Sequence, residues 1–257
     1  ILEEIKMYRD LPQYFVMELL DKLLWPNHPL GKNLAGTPET VSAMTHRDLK
    51  GFHKTYYTPH NIVVSVSGDI KHAAIVNLVK KKLNSLKASK QMDYLKADEN
   101  QSQPQVHFFK KNIEQMHMAL GMPGLDEQHK DKYVLSLLNI ILGGNMSSRL
   151  FVEVREKRGL AYSIGSSAKS LHDTGMFMIR AGVDNQKIVA TVDLILKELN
   201  KIKRNGVKKT EFGYAKDYLL GQLLLGLEDT MDHMLWIGES LLSLDKAKTL
   251  PNIIKEF

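Results

Sequence analysis

The chain has 257 residues, of which 43% are hydrophobic and 25% charged, and its formal net charge is +6 at pH 7. This is an ordinary globular composition, and the length corresponds to one large domain or two smaller ones. The lack of cysteine excludes disulfides and thiolate metal sites, and no apolar run approaches the roughly 20 residues of a membrane-spanning helix.

The N-terminal third is predicted to be mainly helical. Apolar periodicity over residues 1–25 is interrupted at Pro12, which predicts two helices, the second of them capped by Asp10. The chain begins in the middle of this pattern, without Met and without the features of a signal peptide, so we expect it to be a piece of a longer protein. The other elements predicted here are a short helix from Pro38, a helix from Thr45 to about Tyr56 with Asp48 in its first turn, a strand at 62–67 and a helix at 71–86.

A polar stretch at 87–104 separates this part from the rest and is the best candidate for a linker. Beyond it, strands are expected to alternate with longer helices. The predicted strands are 105–109 and 115–120, then a hairpin of 162–170 and 176–183; the predicted helices are 130–142, 185–202, 209–227 and 230–244.

The stretch from Gly143 to Tyr162 contains the candidate binding residues. Two glycines open it, and the polar residues that follow (Asn145, Ser147 or Ser148) are candidates for capping a short helix. Gly159 is placed to end that helix in a left-handed conformation. The sequence therefore predicts a glycine turn, a short helix, a second glycine turn and a strand.

Arg155 and Tyr162 lie seven positions apart in this stretch, the first near the end of the helix and the second at the start of the strand. This arrangement brings a guanidinium and a phenol to one edge of a sheet. Such donors suit a peptide carbonyl or a developing oxyanion. The alternative is purely structural, since basic residues in the last turn of a helix interact favourably with its dipole.

The sequence from Gly143 to Tyr162 resembles the insulinase/pitrilysin family of zinc peptidases, in the branch that contains mitochondrial-processing-peptidase-like proteins and their bacterial homologues. Nearly the whole chain fits, including the segments 1–8, 28–31 and 57–68. The resemblance implies an α+β fold of two homologous domains, each a mostly antiparallel sheet backed by helices. It also implies hydrolysis of unstructured polypeptides inside a two-domain chamber.

On this resemblance, residues 1–88 are the C-terminal part of the first, metal-bearing domain, 89–104 a linker and 105–257 the second domain, truncated at its C-terminus. The family binds zinc through an inverted H-x-x-E-H helix and a distant Glu, and that Glu falls on Glu4. The family's substrate-binding Arg and Tyr fall on Arg155 and Tyr162.

The sequence departs from the family pattern at the metal site. None of the ten histidines lies four positions from another, so the H-x-x-E-H motif is absent from this chain. One carboxylate cannot hold a catalytic zinc alone, so we expect zinc in the intact protein, with Glu4 as its third protein ligand, and none bound to this chain. For Glu4 the structural alternative is an exposed helix acid.

Two functions follow as alternatives. The first is a fragment of an active zinc endopeptidase; the second is a non-catalytic homologue that binds polypeptide or assembles with an active partner. We expect a polypeptide substrate, a homodimer or a dimer with a homologous subunit, and a location in the bacterial cytoplasm. Nucleic-acid binding is disfavoured, because the net charge is mild and no nucleic-acid motif accompanies the basic run Lys80–Lys82.

Overall fold

The computed structural model describes residues 1–87, 93–99, 101–247 and 249–255. Ten α-helices and three strands are found in these residues. The helices are α1 (Leu2–Asp10), α2 (Pro12–Leu24), α3 (Pro38–Ala43), α4 (His46–Tyr56), α5 (His72–Leu83), α6 (Lys132–Leu142), α7 (Ile188–Asn205), α8 (Lys209–Gly226), α9 (Thr230–Leu244) and α10 (Leu250–Ile254). The strands are β1 (Gln115–Pro123), β2 (Ala161–Ser170) and β3 (Gly175–Asp184).

The chain divides into two compact units. The first comprises Ile1–Val41 and Leu95–Leu219, and the second comprises Ser42–Tyr94 and Leu220–Phe257. The first unit contains the sheet. The division of the sequence into two homologous domains, at 1–88 and 105–257, remains a prediction, because these units are defined by spatial contacts and not by homology.

The sheet is antiparallel, with the strand order β1-β3-β2. In β1, Gln115 to Pro123 pair with β3 from Asp184 back to Met176. β2 pairs with the other edge of β3. The tight connection at residues 171–174 makes β2 and β3 a hairpin. β3 is the central strand and exchanges backbone hydrogen bonds with both neighbours.

Each face of β3 is covered by helix. Alternate side chains of a strand point to opposite faces, and the odd-numbered Phe177, Ile179, Ala181 and Val183 are buried in a cluster with residues of α6 and α7. On the opposite face, Met176 and Met178 pack with Leu20 and Trp25 from the region of α2. The predicted α+β class, with an antiparallel sheet backed by helices, is confirmed.

The predicted helices occur, and most of the residues predicted to start or end them do so. Pro12 separates α1 from α2. Thr45 and Asp48 form a reciprocal capping box on α4. Gly206 ends α7 with a positive φ of 66°. Asp10 is not the cap of α2. Leu11 occupies the N-cap position, and no side chain caps the helix there. The Asp10 carboxylate accepts a hydrogen bond from Lys111 Nζ at 3.3 Å.

Two predicted strands are wrong. Residues 62–67 and 105–109 have no strand assignment, although both runs are rich in β-forming residues. A strand is defined by pairing, and neither segment has a ladder partner among the described residues. Their apolar side chains are correspondingly exposed, for example Val64 at 49% and Val106 at 91%. Part of the predicted linker, residues 89–92 and 100, lies outside the described residues.

A search of the described part of the chain for a helix long and apolar enough to cross a membrane finds none.

Gly143 sits against β2 at a distance that excludes a side chain. The Ser166 N–H donates to the Gly143 carbonyl at 3.0 Å, and a Cβ on Gly143 would lie 2.6 Å from Ser166 N. We expect Gly143→Ala to lower the free energy of unfolding by about 1–3 kcal/mol through overpacking, measured by urea denaturation.

The control is Gly213→Ala in α8, where an added Cβ meets nothing within 4 Å. This change should raise the free energy of unfolding by about 0.5–1 kcal/mol, because alanine is the better helix former. Equal stability of the two variants would contradict the close contact at Gly143.

Candidate functional site

The segment that leads into the candidate site is fixed to the sheet by β2. Ser166 Oγ donates to Asn139 Oδ1 at 2.7 Å, which ties the end of α6 to β2. The predicted side-chain caps are not made on the next helix. Ser148 Oγ donates instead to the Asn145 carbonyl at 2.5 Å, and Asn145 Oδ1 accepts from Ser147 N–H at 2.8 Å. These local bonds compete with capping.

The short helix predicted after Gly144 is a π-helix over Phe151–Glu156. The Lys157 N–H donates to the Val152 carbonyl at 2.9 Å, which is the i→i−5 spacing of that helix. Val154 and Leu150 are fully buried and fix the apolar side. Gly159 follows with φ of 55°, the left-handed turn that the sequence predicts. π-helical segments are rare and occur often at functional sites.

Arg155 projects from this π-helix onto two aromatic rings. Its Cζ lies 4.9 Å from the ring centroid of Phe151 and 5.8 Å from that of Tyr162. Both distances fall within the range of cation–π contacts. The structure therefore brings together the two residues that the sequence singled out, and it adds Phe151 to them.

Tyr162 occupies an irregular position in β2. Ala161 pairs with Val183 and Ser163 pairs with Gly182, so Tyr162 is an extra residue in the ladder. This is a β-bulge, which re-aims a side chain and is common beside active sites. The Tyr162 side chain is accordingly exposed at 77%, with its ring beside the guanidinium of Arg155.

Glu153 binds the two cations that follow Arg155 in the chain, Lys157 and Arg158. Its carboxylate accepts from Lys157 Nζ at 2.6 Å and from Arg158 at 2.6 Å. Hydrogen bonds from Lys157, and then from Arg158, lower the pKa of Glu153 to about 2. Arg155 has no carboxylate within ion-pair distance in the part of the chain described here, so its donors remain available.

Another ion pair holds Arg149, two residues before the π-helix. Arg149 donates to both carboxylate oxygens of Glu211, at 2.7 and 2.6 Å. These hydrogen bonds raise the pKa of Arg149 and lower that of Glu211. The bidentate geometry fixes orientation as well as distance, so it holds the start of this segment at the first turn of α8.

Glu4 lies on a different element, in the first turn of α1. Its side chain is 66% exposed and lies 3.8 Å from the N-terminal ammonium of Ile1. Within residues 1–87, 93–99, 101–247 and 249–255, no group of three or more His, Cys, Asp or Glu could hold a metal ion. The donors of this chain therefore do not fit a catalytic zinc by themselves.

Comparison with known proteins identifies the family. The family described as "Peptidase M16 inactive domain" matches residues 43–219, more than half of the chain. The chain belongs to the peptidase M16 family. A relative from Bacillus subtilis named "Uncharacterized zinc protease YmxG" is 39% identical over 256 residues, which are 100% of this chain and 62% of the relative. A Mycobacterium bovis relative, "Uncharacterized zinc protease Mb2805c", is 33% identical over 100% of this chain and 59% of its own length.

Two solved structures have the same fold as this chain. The peptidase M16 inactive domain from Pseudomonas fluorescens matches with a TM-score of 0.87 and 24% identity, over 99% of this chain and 61% of the other. A protease from Helicobacter pylori matches with a TM-score of 0.86 and 26% identity, over 100% of this chain and 63% of the other. The chain thus spans about three fifths of the length of these relatives.

The predicted family is confirmed by these comparisons, whereas the roles of Arg155, Tyr162 and Glu4 remain predictions. Two residues of the candidate site, Phe151 and Glu153, were not singled out by the sequence analysis. The signal was present in the spacing, since Phe151–Arg155 and Glu153–Lys157 are both four residues apart, the distance at which side chains on a helix meet.

The paired Glu153 carboxylate predicts an acid-dependent stability. Glu153 ionises near 4.5 when unpaired and at about 2 in the folded chain, so its pairing stabilises the fold fully above pH 4.5 and this stability is lost as pH falls toward 2. We expect Glu153→Gln to lower the free energy of unfolding by about 1 kcal/mol at pH 7. The difference from wild type should shrink below pH 4.5 in denaturation curves. A difference that stays constant from pH 7 to pH 3 would show that the lost stability does not come from the charge.

Proposed function

We propose that this chain is part of a zinc endopeptidase that hydrolyses peptide bonds of unstructured polypeptides within a two-domain chamber. In this proposal Arg155 and Tyr162 bind the carbonyl oxygen of the substrate. The observation that carries it is the convergence of two backbone irregularities, a π-helix at Arg155 and a β-bulge at Tyr162, on one guanidinium–phenol pair.

The chemistry of the pair fits a carbonyl or an oxyanion. The Arg155 guanidinium has five N–H donors and no acceptor, and the Tyr162 hydroxyl adds a sixth donor. Since Glu153 pairs with Lys157 and Arg158, the Arg155 donors are not consumed by the nearest acid. Donors fixed in advance of the reaction stabilise developing negative charge most effectively.

The metal belongs to the intact protein in this proposal. Glu4 would supply one ligand, and two His ligands and a general base would come from sequence outside this chain. The names of the relatives support a zinc protease. The matched family description, an inactive domain, agrees with a chain that contributes substrate-binding residues and does not itself hold the metal. The chain alone is proposed to be inactive.

The second candidate is a non-catalytic M16 homologue that binds polypeptide or assembles with an active subunit. It is favoured by the absence of a metal-binding cluster from the described residues. The homodimer or dimer with a homologous subunit, the processing-peptidase-like branch and the bacterial cytoplasmic location all remain predictions. None of them is needed for the peptidase proposal.

The test uses the intact protein and a quenched fluorescent peptide. We expect cleavage that a chelator abolishes and added zinc restores. Arg155→Ala should lower kcat/KM by about 100-fold or more, the loss seen when an oxyanion donor is removed. Tyr162→Phe, which removes only the hydroxyl, should lower it by a smaller factor. Glu4→Gln should abolish zinc-dependent cleavage.

The matched control is Arg204→Ala, which removes the same charge from the last turn of α7. It should leave cleavage within about twofold of wild type, because Arg204 has no described contact with Arg155 or Tyr162. Cleavage that survives the chelator, or no cleavage at all, would contradict the metallopeptidase. Full activity of Arg155→Ala would contradict the substrate-binding role and favour the structural alternative, an interaction of Arg155 with the helix dipole.

A further inference from the structure

The Arg155 guanidinium contacts two aromatic rings, and among the described residues it forms no ion pair with an acid. Phe151 lies 4.9 Å from its Cζ on the preceding turn of the π-helix, and Tyr162 lies 5.8 Å away on the bulged strand. The two rings differ in exposure. Phe151 is only partly exposed, on a helix whose Val154 is fully buried, whereas Tyr162 is 77% exposed.

Phe151 is therefore the better packed of the two rings. An exposed arginine loses rotamer freedom when it is held in one conformation, so a guanidinium without an ion pair needs another contact to stay in place. A ring face supplies that contact without occupying the N–H donors, which lie in the guanidinium plane and point away from its faces.

Glu153 pairs with the two cations that follow Arg155 in the chain. Lys157 and Arg158 follow Arg155 closely in sequence, and both are bound to the Glu153 carboxylate at 2.6 Å. Arg158 also donates to the Glu153 carbonyl at 2.9 Å. Of the three cations between residues 155 and 158, two are paired with an acid, and Arg155 lies against aromatic carbon with its donors free.

We propose that Phe151 is the positioning residue for Arg155, holding the guanidinium plane so that its N–H edge is presented to the substrate carbonyl. This inference rests on the proposed function, because it assigns Phe151 a role through Arg155. Phe151 does not touch the substrate in this arrangement, and it is not a catalytic residue.

The first experiment is a double-mutant cycle on cleavage by the intact protein. We expect Phe151→Leu to lower kcat/KM about five- to tenfold, the factor that a single cation–π contact supplies, while Phe151→Tyr keeps it within about twofold. In an Arg155→Ala background the Phe151→Leu change should cause no further loss. Contacting residues that act as a unit are non-additive in this way, whereas a merely structural effect of Phe151 would multiply with that of Arg155.

The second experiment needs no catalysis. In this chain, the Arg155 Nε–Hε signal should be shifted upfield by the two ring currents and should move downfield in Phe151→Leu. The shift should return in Phe151→Tyr. The Arg204 signal is the internal control and should not move.

The outcomes separate the two proposals. If the wild-type protein cleaves nothing but the Arg155 signal responds to Phe151 as described, the peptidase function fails and the contact remains. If wild type cleaves and Arg155→Ala is impaired, but Phe151→Leu has full activity or adds its loss to that of Arg155→Ala, the positioning role is overturned. An Arg155 signal that ignores Phe151→Leu overturns it as well.

Discussion

The central strand β3 is the constraint on which the candidate site depends. It pairs with β1 along one edge and with β2 along the other, and its two faces are buried against different helices. A shift of its register by one residue would move every buried side chain to the wrong face. The register of β3 is therefore fixed, and an extra residue has to be placed in a neighbouring strand. The bulge occurs in β2, at the end where that strand receives the chain from the π-helix.

The two irregularities that flank this connection are of the same kind. A π-helix has one more residue per hydrogen-bonded turn than an α-helix, and a β-bulge has one more residue than the strand opposite. One brings Arg155 to the end of its helix and the other turns Tyr162 out of the ladder. Between them, Gly159 adopts a left-handed turn that has open space around it. The connection is short. One residue more or less in the helical turn or in the strand therefore decides whether the guanidinium and the ring meet.

Much of the fold was predictable because local signals and tertiary structure agree. The capping box at Thr45, the glycine that ends α7 and the hairpin of β2 and β3 all depend on nearby residues. The two wrong strands share one cause, which is that pairing is not local. Residues 62–67 and 105–109 have the composition of strands, but a strand needs a partner, and composition does not supply one. The cap at Asp10 failed for a different reason: Asp10 is the last residue of α1, and Leu11 occupies the N-cap position of α2.

The candidate site was predictable in its members but not in its geometry. The Arg155–Tyr162 pair could be named from residue type and spacing, because a glycine turn between helix and strand brings their ends together. The π-helix could not be read from sequence, since Phe151, Val154 and Arg155 at these spacings are equally compatible with an α-helix. The bulge at Tyr162 depends on the register of β3, which only the assembled sheet defines. Phe151 was not singled out, because an apolar residue on a helix is most often explained by core packing alone.

The geometry bears on the choice between an enzyme and a binding homologue. Binding an extended polypeptide in its ground state requires donors, but it tolerates donors that move, because a loosely held arginine can follow the carbonyl. Stabilising charge that develops during a reaction requires donors already in place, since reorganisation at that moment costs free energy. Here the guanidinium lies on an irregular helix against two rings, and its neighbouring cations are paired with Glu153. Arg149, two residues before that helix, is fixed by a bidentate ion pair. That degree of preorganisation exceeds what simple binding requires, and it favours a role in catalysis for the intact protein.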